Sequence, residues 1–154
     1  MTFKSRMAAV GLLFLMGCTS PSVKPPTPAP ADPEAAAEWV RQGQLALEQG
    51  SKLAAIRAWR EAVRLDPGNP VVVNNLAVLL IEQNQFTDAA TVLEQGVEFT
   101  PTVAELHYNL AVVSELYLLD LGKALSHYHR YRALTPADDE AVAGWIADLE
   151  RRLD

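Results

Sequence analysis

The sequence predicts an all-α protein, and the prediction depends on two kinds of spacing. Within 71–83, apolar residues recur at the three- and four-residue intervals of a helix. Residues of similar type also recur 34 positions apart, as in the pairs Pro67 and Pro101, and Trp59 and Leu93. A fixed period of roughly 20–50 residues is typical of proteins built from stacked units. We therefore predict an array of helical hairpins.

The central unit lies between Pro70 and Pro101. It contains two amphipathic segments, 71–83 and 86–99, joined by the short polar turn of Asn84 and Gln85. Neither segment can bury its apolar face alone, so the unit needs similar units on both sides. The predicted helices are 34–48, 52–65, 70–83, 86–99, 103–118, 122–134 and about 137–152.

The recurring residues resemble those of the tetratricopeptide repeat (TPR). In the first copy, 36–69, they are Trp39, Gly43, Ala55, Trp59, Ala62 and Pro67. In the second copy, 70–103, they are Leu76, Ala77, Phe86, Ala89, Leu93 and Pro101. In the third copy, 104–138, they are Leu110, Ala111, Ala124, Tyr128, Leu134 and Pro136. The resemblance implies a TPR-like right-handed superhelix of about three helix-turn-helix repeats within 34–136.

The third copy is one residue longer than the others, because Pro136 lies 35 positions beyond Pro101. We expect the turn between Leu116 and Leu121 to contain the extra residue.

The C-terminal segment, 137–154, is predicted to be a capping helix. Its apolar stripe comprises Val142, Trp145, Ile146, Leu149 and Leu153. A helical array needs a terminal helix of this kind because its last repeat would otherwise expose its stacking face. We therefore expect Trp145 to be buried in the packing of the cap.

Side chains ahead of three helices predict N-terminal caps. Asn69 and Thr135 each stand directly before a proline, which places a capping oxygen ahead of a favoured first helical residue. Thr102 and Glu105 have the three-residue spacing of a capping box.

Residues 1–17 have the pattern of a secretory signal peptide. Lys4 and Arg6 precede an apolar run at 7–16, whose ten residues are too few to span a ~30 Å hydrocarbon layer as a helix. Residues 15–18, Leu-Met-Gly-Cys, resemble the lipobox of bacterial lipoproteins. That resemblance implies cleavage before Cys18 and lipidation of Cys18, including a palmitate-like acyl chain. Because Cys18 is the only cysteine, an internal disulfide is excluded.

The segment 18–33 is predicted to be a linker between the lipidated cysteine and the repeats. Six of the ten prolines lie in it, which favours a semi-extended spacer. Thr19, rather than the aspartate of an inner-membrane retention signal, follows Cys18. By resemblance, the expected location is the periplasmic face of the outer membrane.

The charge and the dispersed polar residues argue against several classes of function. The formal charge of −6 disfavours nucleic acid as a partner. His127 and His129 are two residues apart, so on a helix they point about 200° from each other and cannot hold one metal ion together. His107 is expected to pack in the core. With no nucleophile–base pair, metal cluster or phosphate loop in the sequence, we expect neither an enzyme nor a cofactor.

The TPR resemblance implies that the first helix of each repeat lines a peptide-binding groove. The corresponding residues are Val40, Arg41, Gln44 and Leu47, then Asn74, Asn75, Val78 and Ile81, then Tyr108, Asn109, Val112 and Glu115. In similar proteins, asparagines at the places of Asn75 and Asn109 bind the peptide backbone; here they could instead brace the helix packing. Arg41 is the only basic residue of the set, so the basic clamp of chaperone-binding relatives is not expected.

The sequence therefore predicts a membrane-anchored periplasmic adaptor that binds a peptide or helix of an envelope assembly, such as pilus, secretion or outer-membrane machinery. Two alternatives remain at this stage. One is a structural lipoprotein that self-associates into a homo-oligomer, and the other is an accessory or activator subunit of a cell-wall enzyme.

Overall fold

The computed structural model describes residues 32–135 and 139–154. The predicted signal peptide, the lipidation site Cys18 and almost all of the linker lie outside these residues. The described chain forms seven α-helices: α1 (Pro33–Glu48), α2 (Lys52–Leu65), α3 (Pro70–Glu82), α4 (Phe86–Phe99), α5 (Ala104–Leu116), α6 (Leu121–Leu134) and α7 (Glu140–Leu153). Neither described range contains a strand, and the predicted all-α fold is confirmed. Among these helices, none combines the length and apolar character needed to cross a bilayer.

The first six helices form three consecutive hairpins, and α7 packs against the last of them. The turns at 49–51 and 83–85 have three residues, whereas the turn at 117–120 has four. The extra residue of the third repeat therefore lies where we predicted it. Each turn contains one residue with positive φ, namely Gly50 at 75°, Asn84 at 58° and Leu119 at 56°.

Small residues lie where the two helices of each hairpin approach each other. Ala55, Ala89 and Ala124 are completely buried, and each is at the same place in its repeat. Larger apolar side chains fill the space between successive helices and form a core that extends from α2 to α5. A second group, centred on Tyr128 and Leu149, continues the core beneath α7.

Helix α7 occupies the place of the first helix of a fourth hairpin. Three buried positions in α3 recur 34 residues later in α5 and a further 36 residues later in α7. The three sets are Val72, Leu76 and Leu79; Leu106, Leu110 and Val113; and Val142, Ile146 and Leu149. The predicted capping helix is thus present, in register with the repeats.

The predicted burial of Trp145 is wrong. Its side chain is 39% exposed because it lies beside the buried stripe that Val142, Ile146 and Leu149 form. Leu153, at the end of the same helix, is 48% exposed. The stripe that covers the third repeat is therefore narrower than the apolar sequence pattern indicates.

One predicted cap is confirmed and another is wrong. The side-chain oxygen of Asn69 accepts a hydrogen bond from the backbone nitrogen of Val72 at 3.3 Å, as an N-terminal cap should. Thr102 and Glu105 do not form a capping box because Val103 is the residue that precedes α5, and its side chain makes no capping bond.

Thr135 ends α6 instead of capping α7. Its hydroxyl donates to the carbonyl oxygen of Tyr131 at 2.9 Å. Asp139 caps α7, and its Oδ1 accepts from the backbone nitrogens of Ala141 at 3.1 Å and Val142 at 3.2 Å. The threonine hydroxyl is thus already bonded to the preceding turn of helix, which explains why the prediction failed.

Candidate functional site

The first helices of the hairpins, together with α7, carry side chains at equivalent places beside the buried core. Asn75 and Asn109 stand directly before buried Leu76 and Leu110, and Trp145 stands directly before buried Ile146. We call the surface formed by the predicted groove residues of α1, α3 and α5, together with Trp145 of α7, the first-helix face. Helix α7 thus extends this face beyond the third repeat.

A depression of about 250 Å³ lies on this face between the first two repeats. Its lining residues are Gln44, Leu47, Trp59, Asn75, Val78, Leu79 and Glu82. The structure thus brings together four of the predicted groove residues, Gln44, Leu47, Asn75 and Val78. The Val78 side chain is 42% exposed, and it supplies an apolar surface beside the amide of Asn75.

Three residues of the depression, Trp59, Leu79 and Glu82, were not predicted as part of the site. Trp59 forms a wall, and its indole Nε1 donates to the carbonyl oxygen of Val40 at 3.2 Å. Glu82 lies at the edge, where its carboxylate pairs with Lys52 at 2.8 Å. The sequence identified Trp59 only as a recurring residue of the repeat. It gave no signal for Glu82, which falls one residue beyond the expected groove positions.

The amides of Asn74 and Asn109 join α3 to α5. The Asn109 Nδ2 donates to the Asn74 Oδ1, and both side chains are half-buried. Asn109 therefore braces the packing of the two helices, which was the alternative to a role in peptide binding. Asn75 is exposed on the same face and faces the depression.

Four aromatic rings gather where α5, α6 and α7 meet, and we call them the aromatic cluster. Tyr108 lies 5.3 Å from Tyr131 and 6.3 Å from Trp145, measured between ring centroids. Tyr128 lies 5.6 Å from Trp145 and 6.3 Å from Tyr108. Of these rings, only Tyr108 was predicted to belong to the site. The sequence has five tyrosines and tryptophans within 108–145, but which of them converge depends on how α7 packs.

Carboxylates hold two of the tyrosine hydroxyls in this cluster. Tyr128 donates to Glu115 at 3.1 Å, and Tyr131 donates to Asp139 at 3.4 Å. Burial, the Glu115 carboxylate and its hydrogen bond raise the pKa of Tyr128 far above the usual range. Burial and the Asp139 carboxylate also raise the pKa of Tyr131. Both tyrosines are therefore neutral donors at physiological pH.

The remaining predicted site residues have other surroundings. Arg41 is exposed and binds Glu38 through contacts of 2.6–3.1 Å, so its charge is already paired. Ile81 and Val112 are half-buried and pack against the core beneath the first-helix face. They contribute to its apolar floor.

A histidine pair lies away from the first-helix face, between α5 and α6. His107 is buried, its Nε2 is 3.2 Å from the carbonyl oxygen of Pro101, and its Nδ1 is 2.9 Å from Nδ1 of His127. Because a carbonyl only accepts, the Nε2 of His107 carries the proton and its Nδ1 accepts from His127. Burial lowers the pKa of both histidines.

His129 does not join this pair and lies 3.4 Å from Glu150. Across residues 32–135 and 139–154, no three histidine, cysteine or acidic side chains are placed to hold one metal ion.

The helical hairpins, their 34-residue period and the shared face define a TPR-like array. The family profile of the tetratricopeptide repeat matches residues 46–112 of this chain.

Solved structures of TPR domains have the same fold. One is the first TPR of Spaghetti (RPAP3) bound to an HSP90 peptide, which is 21% identical, with a TM-score of 0.65 over 80% of this chain and 96% of that one. Another is the N-terminal domain of stress-induced protein-1 from C. elegans, at 22% identity and a TM-score of 0.65 over 76% and 95% of the two chains. The second TPR domain of human RPAP3, in complex with an HSP70 peptide, is 14% identical, with a TM-score of 0.63 over 77% and 98%.

Proposed function

We propose that this protein is a peptide-binding adaptor whose first-helix face holds a peptide or helix of a partner protein. The observation that carries the proposal is the depression in which Gln44, Asn75 and Val78 meet. An exposed amide can both donate to and accept from a peptide backbone, and exposed Val78 offers contact area to an apolar side chain. Two structures of similar fold contain a bound HSP90 or HSP70 peptide, which supports this use of the face.

The partner should differ from the ligands of a basic clamp. Arg41 is the basic residue expected on the first-helix face, and Glu38 pairs with its guanidinium. A free C-terminal carboxylate would have to displace that pair before it could bind there. We therefore propose an internal peptide segment with an apolar anchor as the ligand.

We further propose that the adaptor is a bacterial lipoprotein of the cell envelope. The lipobox-like residues 15–18 support lipidation at Cys18, and the proline-rich linker 18–33 would hold the repeats away from the bilayer. On this proposal the repeats face the periplasm from the outer membrane and bind a component of pilus, secretion or outer-membrane machinery. A self-associating lipoprotein and an accessory subunit of a cell-wall enzyme are the alternative functions.

Photocrosslinking in cells tests the adaptor proposal. A photoreactive phenylalanine at Val78 places the probe in the depression, and the same probe at exposed Thr91 on α4 is the matched control. We expect a crosslinked product from the Val78 position and none from Thr91. Equal products from both positions, or none from either, would contradict binding at the first-helix face. A product containing two copies of this chain would instead support self-association.

Replacing Cys18 with serine tests the anchor. The wild-type chain should incorporate a palmitate label and fractionate with membranes, whereas Cys18→Ser should do neither. Label retained in the variant would contradict lipidation at this cysteine.

A further inference from the structure

We propose that the aromatic cluster binds an arginine or lysine side chain of the partner peptide. This inference rests on the proposed function and specifies the chemistry of the ligand at the end of the first-helix face that α7 forms.

The rings are arranged so that a cation could contact more than one of them. Trp145 is 39% exposed, although it is among the most costly side chains to leave in water. Tyr108, the neighbouring groove residue on α5, has its ring centroid 6.3 Å away, with the two ring planes inclined by 41°. Tyr108 and Tyr131 are 5.3 Å apart and inclined by 53°. The faces of aromatic rings attract cations, and the face of tryptophan does so most strongly.

The position of Trp145 places this surface on the first-helix face, where we propose that the peptide binds. Trp145 corresponds in register to Asn75 and Asn109 on the preceding first helices. Gly144, the residue before it, has no neighbouring atom within 4 Å of the place where a side chain would begin. A peptide that extends from the depression toward α7 would therefore meet the exposed ring of Trp145, with open space at Gly144 beside it.

The charges around the cluster favour a cation. Asp139 accepts the hydrogen bond from Tyr131, and Glu115 accepts the one from Tyr128. The carboxylate of Glu105 also acts on Tyr131 and helps to raise its pKa. Each of these carboxylates strengthens the negative potential at the rings, as does the formal charge of −6 on the whole chain.

Among the described residues, Arg152 is the basic side chain that bonds to Glu115 of this group, and it also contacts a second acid. Its guanidinium lies 3.5 Å from Glu115 and 3.5 Å from Asp148. Asp148 also pairs with Arg151 at 2.6 Å. Within the described residues, Asp139 and Glu105, which both act on Tyr131, form no salt bridge with a basic side chain. Acidic ligand residues, such as those of a C-terminal carboxylate motif, should be repelled there.

A random peptide library tests the inference. Ten-residue peptides blocked at both ends would be captured on the immobilised full chain and sequenced. We expect arginine and lysine to be enriched about threefold or more at one position of the captured peptides, with aspartate and glutamate depleted. Trp145→Ala should remove the enrichment, Trp145→Phe should retain most of it, and Thr91→Ala on α4 should leave it unchanged.

A single captured peptide then provides a quantitative comparison. Replacing its arginine with citrulline removes the charge and keeps the shape, and we expect about tenfold weaker binding to the wild-type chain. The same replacement should have little effect on binding to Trp145→Ala. Thermal melting of each variant would show whether it is folded.

The outcomes distinguish this inference from the proposed function. Captured peptides without a preference for arginine or lysine would overturn the cation site and leave peptide binding intact. Enrichment that persists in folded Trp145→Ala would also overturn it. Failure to capture any peptide would overturn both proposals.

Discussion

The indole of Trp59 fills the space that a side chain at Gly43 would need: a Cβ built on Gly43 would lie 2.2 Å from the indole Nε1. The corresponding pairs in the next two repeats are Ala77 with Leu93, and Ala111 with Tyr128. Of the three repeats, the first thus has the smallest residue at one of these two positions and the largest at the other. The identities of these two positions should therefore be energetically coupled.

Gly43→Ala should destabilise the protein by about 1–3 kcal/mol, because the methyl group would displace the buried indole. Adding Trp59→Leu, which reproduces the pair found in the second repeat, should make the alanine tolerable. Urea unfolding of the full chain measures both effects. Gly144→Ala is the matched control, since a side chain there meets no atom within 4 Å, and it should stabilise α7 by roughly 0.5–1 kcal/mol. Wild-type stability of Gly43→Ala would refute the coupling.

Leu119 has a backbone conformation that leucine rarely adopts. Its φ is 56°, and its side chain is 74% exposed, so little packing compensates for the strain. The equivalent residue of the second repeat is Asn84, which tolerates positive φ better. Leu119→Asn should therefore raise the free energy of unfolding by about 1 kcal/mol, and Asn84→Leu should lower it by a similar amount. A lower thermal midpoint for Leu119→Asn would show that the leucine side chain stabilises the fold.

The histidine pair should make stability depend on pH. Burial lowers the pKa of His107 and His127 in the folded state, so the unfolded chain takes up protons more readily. Arg130 near His107 and Lys123 near His127 add to this effect, whereas Glu94 opposes it. The free energy of unfolding should be constant above the unfolded pKa of about 6.5 and fall as the pH drops below it.

Replacing His107 with leucine should reduce that pH dependence, because the buried titrating group is lost. His129→Leu removes a half-buried histidine that does not join the pair, from the same helix as His127, and provides the control. Chemical unfolding between about pH 8 and about pH 5 gives the comparison. An unchanged pH slope in His107→Leu would show that other groups cause the dependence.

The adjacent residues Trp145 and Ile146 of α7 should differ in how much each contributes to the stability of the fold. Ile146 is 3% exposed, so Ile146→Ala should cost about 2–5 kcal/mol through the cavity it leaves. Trp145 is 39% exposed, and Trp145→Ala should cost less than the ~3–5 kcal/mol of a buried aromatic residue. Thermal denaturation of the two variants provides the test. A larger loss for Trp145→Ala would restore its role as a packing residue of the cap.

The sequence predicts most of this fold because the repeat constrains each helix separately. Small residues such as Ala55 and Ala89, spaced one repeat apart, indicate where helices must approach, and the displaced Pro136 indicates the longer turn. Contacts between helices are less predictable because they depend on rotation about each helix axis. The bond between Asn74 and Asn109 is one example.

The candidate site was predictable only in part. Gln44, Asn75 and Val78 share one depression because the repeat fixes their register. Equivalent positions of α5 and α7 are 36 residues apart, instead of the 34 residues that separate α3 from α5. This shift places Trp145 at the edge of the apolar stripe of α7. No residue type in the sequence signals that shift. The pairing of His107 with His127 likewise depends on how α5 and α6 face each other.

The affinity of the full chain for a captured peptide is the most direct test of the first-helix face as a binding surface. Val78 is 42% exposed in the depression, so Val78→Arg should keep the fold and place a charge at the proposed site of the apolar anchor. Measured by fluorescence anisotropy, Kd should rise by at least about tenfold, the effect of losing about 1.4 kcal/mol of binding free energy. Thr91→Arg on α4 should leave Kd unchanged. An unchanged Kd in folded Val78→Arg would contradict binding at this face.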